Sequence, residues 1–128
     1  MGSSRERLLE PVRDRTEIRQ QLGDGRRLVA CLCAAWCSSC GAWRDAFAAV
    51  AQDFEDDCFV WIDIEDHADL VADVEVETLP VLLVQGAGGV GFLGPVEPRA
   101  PVVKALLQRM ANVDAALRDP GIRTALVA

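Results

Sequence analysis

A continuous apolar run, Leu28-Val29-Ala30-Cys31-Leu32-Cys33-Ala34, leads within a few residues into Cys37-Ser38-Ser39-Cys40 and then into a segment with helical periodicity. An unbroken apolar stretch of this length suits a strand covered on both faces, so it predicts the central strand of a sheet. Beyond the cysteines, Trp43, Phe47, Val50 and Phe54 recur at steps of four, three and four. That spacing lays one apolar face of a helix of about four turns on a core. Strand, paired thiols, helix: this order constrains both the fold and the chemistry.

The rest of the chain fits around that unit. Arg5 to Val12 reads as a short, edge-like extended piece, because Pro11 disfavours a central strand position. Asp14 or Thr16 caps a brief helix over Glu17 to Leu22, stopped by Gly23-Asp24-Gly25. Phe59 to Ile64 predicts a strand, Asp66 to Val74 a short acidic helix, and Val81 to Gln85 a strand entered through Thr78-Leu79-Pro80. Gly86-Ala87-Gly88-Gly89 turns the chain into a return strand over Val90 to Leu93. Pro98 and Pro101 precede a last helix, Ala100 to Leu117, striped by Val103, Leu106, Leu107 and Met110. The order β-α-β-α-β-α-β-β-α predicts an α/β fold with helices on both faces of a mixed central sheet, a parallel βαβ half joined to an antiparallel ββα half. Residues 1–118 are expected to form one domain. Residues 119–128, behind the turn signal Asp119-Pro120-Gly121, form a C-terminal tail that is either loose or docks Ile122 and Leu126 on a neighbour.

A chain of 128 residues suffices for one domain with its own core. The net charge is −7, and between Asp53 and Glu77 there is no Lys or Arg, while seven of the twelve arginines precede Leu28. Such a middle repels polyanions, which argues against nucleic acid as a partner. Met1 to Glu6 has no apolar leader, and the longest apolar run, Leu28 to Cys37, is about half a bilayer span. The expectation is a cytoplasmic protein with no membrane partner. Five cysteines in that setting point to thiol chemistry or metal rather than to a secreted disulfide scaffold.

A Cys-x-x-Cys at a strand-to-helix junction puts Cys37 at the helix N-terminus, where unpaired N–H groups and the positive end of the dipole favour a thiolate. Cys40, about one turn along, is in reach to break a mixed disulfide formed at Cys37. Cys37 is therefore the expected attacking thiol and Cys40 the resolving one. Other uses of the cysteines remain open. Cys31, Cys33, Cys37 and Cys40 make a possible tetrahedral zinc set, although a buried strand beneath a helix is a poor place to wrap a metal. Cys31 and Cys33, on one face of the strand, serve either as small buried hydrophobes or, for Cys31, as a third thiol near Cys40 that allows disulfide shuffling. His67 reads as a solvated surface residue. Gly86, Gly88, Gly89 and Gly91 read as a hairpin turn, not a phosphate-binding loop.

Ala34-Ala35-Trp36-Cys37-x-x-Cys40 after a buried strand, with Thr78-Leu79-Pro80 some forty residues later, resembles the thioredoxin superfamily over about Leu8 to Met110. The resemblance implies a thioredoxin-like fold and an enzyme, a thiol-disulfide oxidoreductase acting on protein disulfides or dithiols. It implies Cys37 and Cys40 as the catalytic pair, Trp36 as the aromatic before it, Pro80 as a cis-proline facing the site, and Leu79 as the residue whose backbone receives substrate. Gly94 matches the glycine at the end of the last strand. No metal or organic cofactor is implied, but a reductase or small thiol must recycle the pair. The chain also departs from the pattern: Ser38-Ser39 replaces Gly-Pro, Gly41 replaces a basic residue, and Asp45 replaces a helix-kinking proline. Cys31 and Trp61 stand where a buried Asp and its Lys partner are usual. These departures leave room for an alternative, a non-catalytic binding or assembly module that holds a partner peptide against Trp36, Leu79 and Pro80.

Overall fold

The computed structural model describes residues 8–110 and 117–128. Its elements run β1 (Leu8–Leu9), α1 (Arg15–Gly23), β2 (Arg27–Cys33), α2 (Ser38–Gln52), β3 (Asp57–Asp63), β4 (Val81–Gly86), β5 (Gly89–Pro95), α3 (Ala100–Arg109) and α4 (Ile122–Val127). They form a five-stranded sheet in the order β1-β3-β2-β4-β5. β3 runs parallel to both β1 and β2, whereas β4 runs antiparallel to β2 and β5 antiparallel to β4. The apolar run is thus the middle strand, β1 is an edge, and the fold is the mixed α/β architecture expected of a thioredoxin-like chain.

Alternation along the strands divides the core in two. Val29, Cys31 and Cys33 of β2, Phe59 and Trp61 of β3, and Leu82 and Val84 of β4 share one cluster with Trp43, Phe47 and Val50 of α2 and Val103 and Leu107 of α3. Leu28, Ala30 and Leu32, with Val60, Ile62 and Leu83, join Ile18 and Leu22 of α1 and Ile122 and Leu126 of α4 in the other. Period-2 side chains on a doubly covered sheet produce this division. Phe47 is the hub of the first cluster, with ring centroids 5.6 Å from Trp43, 5.2 Å from Phe59 and 6.2 Å from Trp61. Such tilted ring pairs add about 0.5–1.5 kcal/mol each beyond the area they bury. Arg27 closes the far end of the sheet: its guanidinium donates to both Asp57 carboxylate oxygens at 3.1 and 2.6 Å and to the Leu107 and Met110 carbonyls at 3.0 and 2.9 Å.

Two elements differ from expectation. The acidic helix over Asp66 to Val74 is instead a chain of turns. Asp63 Oδ1 accepts from the amides of Glu65 and Asp66 at 2.8 and 3.1 Å, an arrangement that competes with helix at its start. The His67 amide bonds four residues back to the Asp63 carbonyl at 3.0 Å, but beyond it the bonds reach three residues back, Leu70 to His67 and Val74 to Val71, both at 3.0 Å. Asp66, Asp69 and Asp73 would also have put like charges on one face of a helix of poor formers. The second difference is α4. The C-terminal segment docks on its own chain, with Ile122 and Leu126 buried beside α1. Gly121 opens this helix at φ 84°, a conformation suited to glycine, and its amide donates to Asp119 Oδ1 at 2.8 Å. Arg123 then donates to the Gln85 and Leu22 carbonyls at 3.0 and 3.3 Å. The Arg5 to Arg7 part of the expected N-terminal strand and residues 111–116 of the expected last helix lie outside the described residues.

Replacing Ile122, fully buried in this contact, by Ala is expected to lower unfolding stability by about 2–5 kcal/mol. Val127→Ala, at an exposed position of the same helix, should change it by less than about 0.5 kcal/mol. Urea denaturation of the two variants and the parent chain checks the contrast.

Candidate functional site

The C-terminal end of β2 and the first turn of α2 bring the thiols together. Cys37 is the N-cap of α2, in extended backbone at φ −88° and ψ 113°, and its carbonyl accepts from the amides of Cys40 and Gly41 at 3.1 and 3.4 Å. It is half-buried and its thiol is free. One turn on, Cys40 lies on the apolar face of α2 with Trp43 and Phe47 and is 2% exposed. That face packs on the sheet where Cys33, the last residue of β2, emerges on the same side.

The disulfide in this structure joins Cys33 to Cys40. The expected Cys37–Cys40 bond is therefore not the one observed, for a geometric reason: Cys40 is turned toward the strand beneath it, whereas Cys37 caps the helix at the rim. The Cα atoms of Cys33 and Cys40 are 5.8 Å apart, an ordinary separation for a disulfide. The third thiol beside Cys40 is thus Cys33 rather than Cys31. Cys31, one pleat back on the same face, has its sulfur 3.9 Å from that of Cys33. The sequence held the signal that singles out Cys33, since alternation gives Cys31 and Cys33 one face and only Cys33 is at the end nearest the helix.

Burial governs the inner thiols. Desolvation pushes Cys31 up to about 12, against a small opposing effect of Trp43. The Trp43 indole N–H makes no well-formed hydrogen bond, so this contact with sulfur is weak. Cys58, on the opposite face of the sheet, is likewise pushed up to about 12 by burial, with Arg123 and Arg26 opposing. The positions where the resemblance implies a buried Asp and Lys hold Cys31 and Trp61, which are register neighbours on β2 and β3. Arg44 lies over the Trp61 ring at 5.2 Å from its centroid and pairs with Glu10, an arrangement the sequence reading missed. Its signal was faint, since nothing local links Glu10 to Arg44.

The surroundings of Cys37 come from three segments. Trp36 is 66% exposed, and its Nε1–H donates to Glu65 Oε2 at 3.0 Å. Leu79 is half-buried and touches both core clusters. The Leu79–Pro80 peptide bond is cis. Because Leu32 pairs with Val81, the next step up brings Cys33 and Pro80 alongside, so this loop reaches the same end of the sheet as the thiols. The Pro80 carbonyl accepts from the Val96 amide at 3.1 Å, which ties the loop to the end of β5. A groove of about 640 Å³, lined by Val81, Leu93, Pro95 and Arg118 among others, has no thiol in its wall. Among the described residues, no group of three or more His, Cys, Asp or Glu side chains is placed to hold a metal. No helix among them is long and apolar enough to cross a membrane.

Comparison with known proteins agrees with this fold. The family model described as thioredoxin matches residues 12–92. The thioredoxin of Mycoplasma genitalium is 25% identical over 77 residues, covering 60% of this chain and 76% of that protein. Thioredoxin domain-containing protein 2 of Mus musculus is 36% identical over 77 residues, 59% of this chain but only 15% of that protein. Among solved structures, a poplar thioredoxin h superposes with a TM-score of 0.69 at 16% identity, covering 83% of this chain and 97% of that one.

The inner thiols generate a pH dependence. Cys31 and Cys58 rise from about 9 to about 12 on folding. The folded state holds their protons, so this contribution is intact below pH 9 and is lost as pH rises toward 12, where the unfolded chain ionises first. The urea midpoint should accordingly fall more steeply between about pH 9 and 11 for the parent chain than for Cys58→Ala. Parallel slopes would contradict it.

Proposed function

We propose that this chain, which belongs to the thioredoxin family, is a protein thiol-disulfide oxidoreductase that uses Cys37 and Cys40. The observation that carries this reading is the gradation at the β2–α2 junction: a free, half-buried thiol at the helix N-cap and, one turn along, a sulfur already engaged in a disulfide. In the reducing direction the Cys37 thiolate attacks a substrate disulfide, forming a mixed disulfide and releasing one substrate thiolate. Cys40 then attacks the Cys37 sulfur, releasing the second substrate thiolate and leaving Cys37–Cys40 oxidised. Two electrons pass from protein to substrate, and a reductase or small thiol returns them.

The shape around Cys37 favours a macromolecular substrate. The reactive end of the sheet has an exposed Trp36 and the Leu79-Pro80 loop, and the groove of about 640 Å³ beside Val81 and Pro95 has no thiol in its wall. A protein segment laid across this rim meets an indole, a half-buried Leu79 side chain and the loop backbone. Small-molecule sites, by contrast, are usually enclosed. Trp36, Leu79 and Pro80 are accordingly the substrate-binding residues of this reading, and neither a metal nor an organic cofactor takes part. The free thiols of Cys31, Cys37 and Cys58 suit a reducing compartment such as the cytoplasm.

Reduction of insulin disulfides with dithiothreitol as electron source tests the reading. Parent protein is expected to accelerate it, and Cys37→Ser to fall to the uncatalysed rate. Equal rates for the two proteins would refute it.

A further inference from the structure

We propose that Cys33 is a second resolving thiol, which draws the oxidised bond from Cys37–Cys40 into the interior as Cys33–Cys40 and returns Cys37 to its free form. The inference rests on the exchange chemistry proposed above for Cys37 and Cys40. Its basis is a juxtaposition: Cys40 stands between two thiols, Cys37 one helical turn back at the rim and Cys33 beneath it on β2, and the structure holds the inner bond with Cys37 free.

The step balances without another reactant. The Cys33 thiol gives up its proton and its sulfur attacks Cys40 Sγ. The Cys33–Cys40 bond forms as the Cys37–Cys40 bond breaks, and Cys37 leaves as a thiolate that takes up, through solvent, the proton Cys33 released. Cys33 is oxidised and Cys37 reduced by the same electron pair, so the number of disulfides is unchanged.

Solvation sets the direction. With Cys37–Cys40 bonded, the leftover thiol is Cys33, 1% exposed in an apolar cluster. Any negative charge there is strongly penalised, as its neighbour Cys31 illustrates. With Cys33–Cys40 bonded, the buried sulfurs form a neutral, apolar bridge, and the free thiol is at the helix N-cap, within reach of water. The same burial makes Cys33 slow to attack, so the inner bond follows the outer one in time.

The inner bond is also shielded. Cys33 and Cys40 are 1% and 2% exposed, so an external thiol has no path to either sulfur. Reduction must run back through Cys37, which attacks Cys40, restores Cys37–Cys40 and then meets the reductant. Cys37 is both entrance and exit, and Cys33 lets one molecule keep an oxidising equivalent out of solvent.

Peptide mapping of the full chain tests this. Reduced protein is mixed with insulin, samples are quenched with acid over time, free thiols are alkylated under denaturing conditions, and chymotrypsin cleaves after Leu32, Trp36 and Trp43. Cys33 then lies on one fragment and Cys37 and Cys40 on another. We expect a bond within the second fragment to appear first and to be replaced by a link between the two, carrying label on Cys37. At equilibrium the inner bond should exceed the outer by at least about tenfold, equivalent to about 30 mV. In Cys33→Ala the outer bond should accumulate instead. Insulin reduction with only the outer bond ever formed, and Cys33 always labelled, overturns the inference while leaving the exchange reading intact. Intact insulin with neither bond formed overturns both.

Discussion

The packing of α2 onto the middle strand of the sheet is the contact on which the rest depends. Trp43, Phe47 and Val50 seat the helix on Phe59, Trp61 and the Val29, Cys31, Cys33 face of β2. Once that face is buried, helical geometry leaves the first turn little freedom: Cys40, in line with Trp43 and Phe47, must point inward, and Cys37, which caps the helix, must stay at the rim. The gradation from accessible to enclosed sulfur is thus a consequence of core packing, and the chemistry inherits it.

The same packing accounts for what stands under the site. A buried carboxylate needs a partner to remain charged. Here the sheet beneath α2 offers a thiol at Cys31 and an indole at Trp61, and Arg44 lies over the Trp61 ring while paired to Glu10. The interior below the junction is therefore built from polarizable, uncharged groups. Such an interior accommodates a disulfide more readily than a thiolate, which is why a bond between Cys33 and Cys40 belongs there.

The middle strand and α2 were legible in the sequence because both are long and strongly periodic, and hydrophobic burial acts on periodicity directly. The edge position of β1 followed from Pro11, and the β4–β5 hairpin from its glycines. The segment from Asp66 to Val74 misled because its apolar residues are spaced as on a helix, while the decisive hydrogen bonds come from the Asp63 side chain outside it. The pairing of Cys40 was only partly visible, in the alternation that brings Cys33 to the strand end nearest α2. Spacing along the chain shows which thiols are near in sequence, whereas the partner was chosen by which face of α2 meets which face of β2. Ile122 and Leu126 were visible as apolar residues, but their place beside Ile18 and Leu22 is a long-range contact with no local sign.

A β2–α2 junction that exchanges thiols as proposed is a reversible two-electron centre. Equilibrium titration of the full chain against dithiothreitol redox buffers, read by counting alkylatable thiols, tests it most directly. The count is expected to fall by two thiols in a single two-electron transition, with a midpoint between about −300 and about −120 mV. A thiol count that stays constant across that range would contradict it.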